Sequence, residues 1–507
     1  MSLTSPSKEA ALLDDEIAQI DLKAILDWLA TPICREPEDE LSPLHAHLTA
    51  LRETRTTAHQ RHKILDLLYA RVHSVVQSLL PGLKGVSLPL SRRTRQTVRG
   101  MQDLLQSVAE DYLTTFGELD EHLIKGLRRP QELTLWRALD SLSCHLLVCN
   151  YSAAPPAPGV WQLLHHAYRL AIDTGLTDTS VRDADTTPRS AYVQALLLAC
   201  AQPASFTSGE VDFAVEYISR FHTRARFLAP NEEGRDEAVF SVDLDRDGAP
   251  VTTARRPPSP GSLRLSCEAL AILAEEQVAA LEAGALPAEL GLPDYAATPA
   301  GNGVLRRLGH YWGHGGKRRF SRRRQNYRAV LCIGLPALWQ LFNDEVTQAG
   351  ELTSWIVTNE SPEGYALMHV HGKTNRVIPG DVVALRTENV ADWQICIVRW
   401  ALSENPEHLE IGLQMLATRA TPAILACGSH AAGESGVRQQ VLLLPQLPPL
   451  HPVETIVAPT GTRRVGADHM VLIIEKGNLE LREIQATRLD EQTASVEVMA
   501  FTLRLLS

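Results

Sequence analysis

Across residues 1–225, apolar side chains return every three and four positions with charges between them. LHAHLTALRETRTTAHQRHKILDLLYARVHSVVQSLL and TRQTVRGMQDLLQSVAEDYLTTF show this most clearly, and a 3.6-residue period predicts amphipathic helices. Breaks fall at the Pro/Gly clusters SLLPGLKGVSLPLS and SAAPPAPGV. Helices of this kind bury their apolar stripes against one another, so an antiparallel bundle or irregular solenoid is expected. No fixed period marks a repeat family.

The pattern changes near Phe227. Residues 226–316 read as a connecting segment: EAVFSVDLDRDGAPV as strand and turn, a Pro/Ser-rich linker, then an amphipathic helix in SLRLSCEALAILAEEQVAALEAGALPAEL. Over 317–420 the period shortens, and SWIVTNESPEGYALMHV, DVVALRT, WQICIVRWAL and HLEIGLQMLA are runs rich in Val, Ile, Trp and Leu between turn residues. Sequential short strands without intervening helices predict an antiparallel β-barrel. Residues 421–507 add QQVLLLP, ETIVAPTG, HMVLIIEKG, LELREIQATRL and ASVEVMAFTLRLL, expected as a smaller β unit. The fold class is therefore multidomain α + β.

Composition narrows the function. The chain has 507 residues, more than one core usually serves, and 44% hydrophobic with 21% charged residues is globular. A net charge of −11 argues against a general nucleic-acid binder, which needs a broad basic face. MSLTSPSKEAALLDDE lacks the pattern of a signal peptide, and apolar windows such as VQALLLACA are too short to span a membrane. The eight cysteines form no CxxC and sit mostly in apolar runs, as small buried hydrophobes in a reducing cytoplasm would. DLDRDG copies the start of an EF-hand loop, but Ala254 stands where the Glu ligand belongs. WGHGGKRR departs from a Walker A loop at Tyr311 and Arg318, and the pairs His310/His314 and His369/His371 lack further metal ligands around them. With no G-x-S-x-G, H-E-x-x-H or kinase signature, no enzyme, metal or cofactor is expected.

One stretch stands apart from this acidic background. KRRFSRRRQNYR, Lys317 to Arg328, carries seven positive charges in twelve residues and runs straight into the first barrel strand. Arginine suits planar, bidentate recognition of phosphate and of guanine edges. Downstream, NESPEGY sets Asn359, Ser361 and Gly364 at the spacing N-x-S-x-x-G, which a tight turn would also favour.

The pair of motifs, in this order and followed by barrel strands, resembles the PilZ domain, the bacterial receptor module for cyclic di-GMP. Its signature is R-x-x-x-R leading into the barrel and (D/N)-x-S-x-x-G on a strand; here RRRQNYRAV and TNESPEGYAL stand in those places. Arg324/Arg328 matches best because a hydrophobic strand follows directly, although Arg318/Arg322 and Arg319/Arg323 also satisfy the spacing. PGDVVALR, ICIVRWAL and EIGLQML resemble the family's later strands, while CIGLPALWQLFNDEVTQAGELT is an insertion that contains a possible helical turn, PALWQLF.

The resemblance implies a cyclic di-GMP site formed by Arg323, Arg324, Arg328, Asn359, Ser361 and Gly364. Arginine forks would take a phosphate or guanine edge, Asn359 and Ser361 would add an amide and a hydroxyl, and Gly364 would keep the turn open. The arginine lead-in would be mobile until ligand neutralises it. The implied protein is a cytoplasmic, non-enzymatic receptor whose helical region meets an unidentified protein target in motility, pilus or exopolysaccharide machinery, with no nucleic acid and no membrane insertion. Two alternatives stay open: a PilZ-like scaffold without nucleotide binding, and an RNA or DNA binder using the arginine run.

Overall fold

The computed structural model describes residues 22–86, 88–120, 131–181, 186–315, 321–343, 352–371, 377–405, 408–428, 437–448, 452–465, 469–475 and 479–503. The helical region holds α1 (22–29), α2 (Leu41–Glu53), α3 (Ala58–Leu79), α4 (Arg92–Asp120), α5 (Gln131–Ser152), α6 (Val160–Asp173), α7 (Pro188–Cys200) and α8 (Ser208–Phe221). Local chemistry sets several of their starts. Thr207 accepts the Glu210 N–H at 3.4 Å while the Glu210 carboxylate accepts the Thr207 N–H at 2.8 Å, a reciprocal cap that opens α8. The helices share one buried core, in which Leu65, Leu68, Val72, Leu105, Val108, Leu139 and Leu142 lie at the three-and-four spacing seen in the sequence.

That core also contains a buried histidine. His145 is fully buried, with Nδ1 3.0 Å from the Gln102 carbonyl and Nε2 3.4 Å from the Ala157 N–H, so the neutral ring donates at one nitrogen and accepts at the other. Burial pushes its pKa down to about 4. Above pH 6.5 folded and unfolded forms are both neutral and no stability is lost. As pH falls below 6.5 only the unfolded form binds the proton, so stability drops until the folded ring protonates near pH 4. The expected loss between these limits is about 3 kcal/mol. It is checked by urea unfolding of the helical region at several pH values, comparing the unaltered chain with His145→Gln; equal pH slopes would refute it.

The connecting segment forms a four-stranded sheet in the order β1-β4-β2-β3 from β1 (Arg226–Phe227), β2 (Val239–Val242), β3 (Val251–Thr252) and β4 (Leu263–Ser266). It continues into α9 (Glu268–Glu282) and α10 (Pro299–Gly313). The aspartates of DLDRDG act as docking groups. Asp247 accepts the N–H groups of Gly159 at 2.7 Å and Gln162 at 3.2 Å, capping α6 from a distant part of the chain, and Asp245 pairs with Arg169 at 2.7 Å. Trp312 of α10 is fully buried and donates to the Leu197 carbonyl at 3.1 Å, fastening α10 to α7.

Two six-stranded antiparallel barrels follow. The first closes in the order β10-β7-β6-β5-β8-β9 from β5 (Arg323–Ile333), β6 (Leu352–Ser361), β7 (Gly364–His371), β8 (Val382–Thr387), β9 (Gln394–Asn405) and β10 (His408–Ala417), with α11 (Leu335–Phe342) inserted after β5. PALWQLF is thus helical, as its spacing suggests. The second closes in the order β11-β12-β13-β16-β15-β14 from β11 (Thr421–Gly428), β12 (Val437–Leu444), β13 (Thr455–Pro459), β14 (His469–Ile474), β15 (Glu480–Gln492) and β16 (Val496–Leu503). The expected smaller β unit is a closed barrel in its own right. Its β11, TPAILACG, gave no strand signal because Ala and Pro dilute the β-branched content.

The barrels pack through their outer faces. Val382, Ala384, Ile395 and Ile397 of the first meet Leu442, Leu444, Val457 and Val498 of the second, with Leu335 and Leu338 of α11 in the seam. The interior of the first barrel instead joins the helical core in one continuous apolar cluster that includes Leu331, Trp355, Leu367 and Ile411. Among the described residues no helix is long and apolar enough to cross a membrane. Seven of the eight free cysteines are buried, and Cys34 is exposed.

Candidate functional site

The motif NESPEGY forms the end of β6, a two-residue turn at Pro362–Glu363, and the start of β7. Ser361 pairs with Gly364 across this hairpin and its hydroxyl donates to the Gly364 carbonyl at 3.2 Å. The turn is clamped by β10, whose Met415 N–H donates to the Glu363 carbonyl at 2.8 Å. A Cβ at Gly364 would lie 2.0 Å from the Leu413 carbonyl oxygen, so no other residue fits without moving a neighbouring strand.

The arginine run meets this hairpin through strand pairing. Lys317 to Phe320, including Arg318 and Arg319, lie outside the described residues; Arg323 to Arg328 belong to β5. Arg323 stands opposite Glu360 and Arg324 opposite Asn359, while Arg328 stands opposite Ile356. The register shift between Arg324 and Tyr327 leaves Gln325 and Asn326 as a bulge separating the two arginines. This part of the lead-in is therefore hydrogen-bonded sheet, because the barrel needs β5 to pair with β6 up to the hairpin. Arg323, Arg324 and Arg328 are exposed, and Glu360 accepts from the Tyr327 hydroxyl at 2.9 Å. Burial and that carboxylate both push the Tyr327 hydroxyl's pKa up.

A cavity of 790 Å³ opens beside the hairpin, within the range of small-molecule sites. Ser361, Glu363 and Gly364 line it, together with Arg322 just before β5. Arg323, Arg324, Arg328 and Asn359 do not, so the cavity gathers only part of the expected site. The rest of its wall comes from residues the motif reading did not single out: Arg399 and Trp400 of β9, Gly412 and Gln414 of β10, Arg255, and Arg306, Arg307 and His310 of α10. The second barrel closes it with Asp490, Glu491 and Gln492. Sequence offered only a faint sign of these, the paired arginines of LRRLGHY on a helix, since the whole first barrel separates Arg255 from Glu491 along the chain.

Several of these charges already have partners. Arg307 of α10 pairs with Glu210, donates to the Ser205 carbonyl at 3.0 Å and lies over the Phe206 ring at 4.6 Å. Arg399 donates from Nε to Gln414 and from Nη2 to Glu491, each at 2.6 Å. Burial works against that guanidinium's charge, but the Glu491 carboxylate outweighs it and holds the pKa above its ordinary value. The cavity wall carries five arginines and three carboxylates, and Arg306 and Arg307 are each paired with a carboxylate outside the wall, Glu282 and Glu210. Trp400 crosses Gly412, where a Cβ would fall 1.9 Å from the indole nitrogen, and so presents an aromatic surface at the cavity.

A second cavity of 590 Å³ lies in the helical region, lined by His73, Asp140, Trp136 and Trp161 among others. His73 is 3.5 Å from Asp140 and 3.3 Å from Ser141, which superficially suggests a hydrolytic triad. Ser141 is fully buried and does not reach the cavity, so the arrangement presents no accessible nucleophile.

Comparison with known families settles the domain type. Residues 342–422 match the family model described as the cyclic-di-GMP receptor FimW, middle PilZ domain. Those residues are a PilZ domain. The match runs from α11's last residue through β10 into the first two residues of β11, and in the structure β5, which lies before it in the chain, closes the barrel between β6 and β8. Residues 23–232 match the model for the N-terminal domain of the same receptor, which coincides with the helical region. The chain is also similar to the cyclic-di-GMP receptor FimW of Pseudomonas aeruginosa, 22% identical over 86% of this chain and 84% of that protein. No solved structure matches.

Proposed function

We propose that this PilZ-domain protein is a cytoplasmic, non-enzymatic cyclic di-GMP receptor that holds the dinucleotide in the 790 Å³ cavity and relays its presence through the helical region. The observation that carries this reading is the meeting, in one cavity, of Arg322 with Ser361 and Gly364 of the N-x-S-x-x-G hairpin. The ligand's two phosphates suit the arginines gathered on the wall, and its guanines suit an arginine fork and the Trp400 face. On this reading Arg322 takes the second place of the R-x-x-x-R motif, in the register with Arg318, and Arg323, Arg324 and Asn359 support the strand edge beside it. The eight free thiols fit a reducing compartment. The similarity of both halves to a protein named a cyclic-di-GMP receptor points the same way.

Calorimetric titration of the full chain with cyclic di-GMP tests the proposal, with GTP and cyclic di-AMP as controls. Selective binding in the micromolar range or tighter is expected, little changed in base preference as salt rises. Equal response to all three nucleotides, or a collapse with salt, would mark charge alone as the source.

A further inference from the structure

Resting on that reading, we infer that Arg306 of α10 contacts the bound dinucleotide from outside the PilZ barrel, so that the ligand itself bridges α10 of the connecting segment to the barrel. The cavity is a three-way junction. The hairpin and Arg399 form its barrel side, α10 contributes Arg306 and Arg307, and the end of β15 contributes Glu491. α10 approaches so closely that a Cβ on Gly303 would lie 2.7 Å from the Gln492 carbonyl oxygen. The second barrel is also locked to the first, since Thr493 donates to the Gly380 carbonyl at 2.9 Å and Ser495 to Asp381 at 2.7 Å. A ligand entering this junction touches all three bodies at once.

The two helical arginines differ in what remains of their hydrogen-bonding capacity. Arg307 uses Nε on the Gly303 carbonyl at 3.3 Å, Nη1 on Ser205 and Nη2 on the buried carboxylate of Glu210. It is a fastener between α10 and α8. Arg306 is held less completely: Nε donates to Asn302 at 3.1 Å and Nη2 to Glu282, and Nη1 has no hydrogen bond among the described residues. Glu282 in turn also accepts from Arg463 of the second barrel at 3.2 Å. Arg306 is thus oriented by its neighbours, lines the cavity, and keeps donors for an anion. A ligand with two phosphates offers one to the motif arginine and one to this second cation, which a ligand with a single anionic group does not.

Titration of the full chain with cyclic di-GMP, comparing Arg306→Ala and Glu282→Gln, tests this. Arg306→Ala is expected to weaken binding about tenfold, the size of one charge-assisted hydrogen bond. Glu282→Gln breaks the same ion pair but leaves the guanidinium in place, so its affinity should equal or exceed that of the unaltered chain. If both variants weaken binding alike, the junction ion pair is responsible and the inference falls. Unchanged affinity in Arg306→Ala likewise overturns it while leaving the receptor reading intact. Failure of the unaltered chain to bind removes the receptor reading and this inference with it.

Discussion

Replacing Arg322 by Ala should reduce cyclic di-GMP affinity about a hundredfold, whereas the double change Arg324→Ala/Arg328→Ala should leave it within about threefold. Arg322 lines the cavity with Ser361 and Gly364. Arg324 and Arg328 lie on β5, exposed and separated by the bulge at Gln325–Asn326, and neither lines it. A bidentate guanidinium–phosphate contact combines two charge-assisted hydrogen bonds, so its loss costs about 2.7 kcal/mol. Fold should be unaffected, since neither site is buried and the barrel core lies inward of β5. Calorimetry on the variants decides between the registers. If the double variant loses binding and Arg322→Ala keeps it, the ligand sits against the outer edge of β5 and the cavity is not its site.

Gly364→Ala should unfold or severely loosen the PilZ barrel, at a cost of about 3 kcal/mol or more, and abolish binding as a consequence. The new Cβ would meet the Leu413 oxygen at 2.0 Å and the Gln414 Cα at 3.1 Å. Both are backbone atoms of β10, paired to β7 and to β9, so neither can yield without opening the ladder. Ser361→Ala provides the contrast. It deletes one hydroxyl bond at 3.2 Å in a half-buried turn, about 1 kcal/mol, and should preserve the melting transition while weakening ligand binding several-fold. Thermal melts of the two variants beside the unaltered chain separate the roles. A normal melt for Gly364→Ala would show that β10 relaxes, and the glycine would then be a ligand-facing residue only.

Hairpin geometry alone favours the residues of the N-x-S-x-x-G spacing. Asn, Ser, Pro and Gly are favoured in NESPEGY by hairpin geometry, and Gly364 is demanded by β10, a strand that begins 44 residues later. Nothing local to the motif announces that demand. The close approach becomes visible only when the barrel closes.

Local chemistry determined much of this protein. The helices described between residues 22 and 221, the hairpin at Ser361–Gly364, the inserted turn of helix at PALWQLF and most strands of both barrels follow from periodicity and turn residues, which act over a few positions. Strand β11 escaped because its inward residues, Ala423, Leu425 and Cys427, include none that is β-branched, and barrel closure rather than propensity makes it a strand. Tertiary structure alone decided where the arginines go. The bulge in β5 sets Arg324 beside Asn359, and the packing of α10, β9 and β15 at one junction brings Arg306, Arg399 and Glu491 to the wall that Arg322 and Ser361 share. Pattern along a chain encodes which face is buried, but a site between domains depends on how those buried faces finally meet.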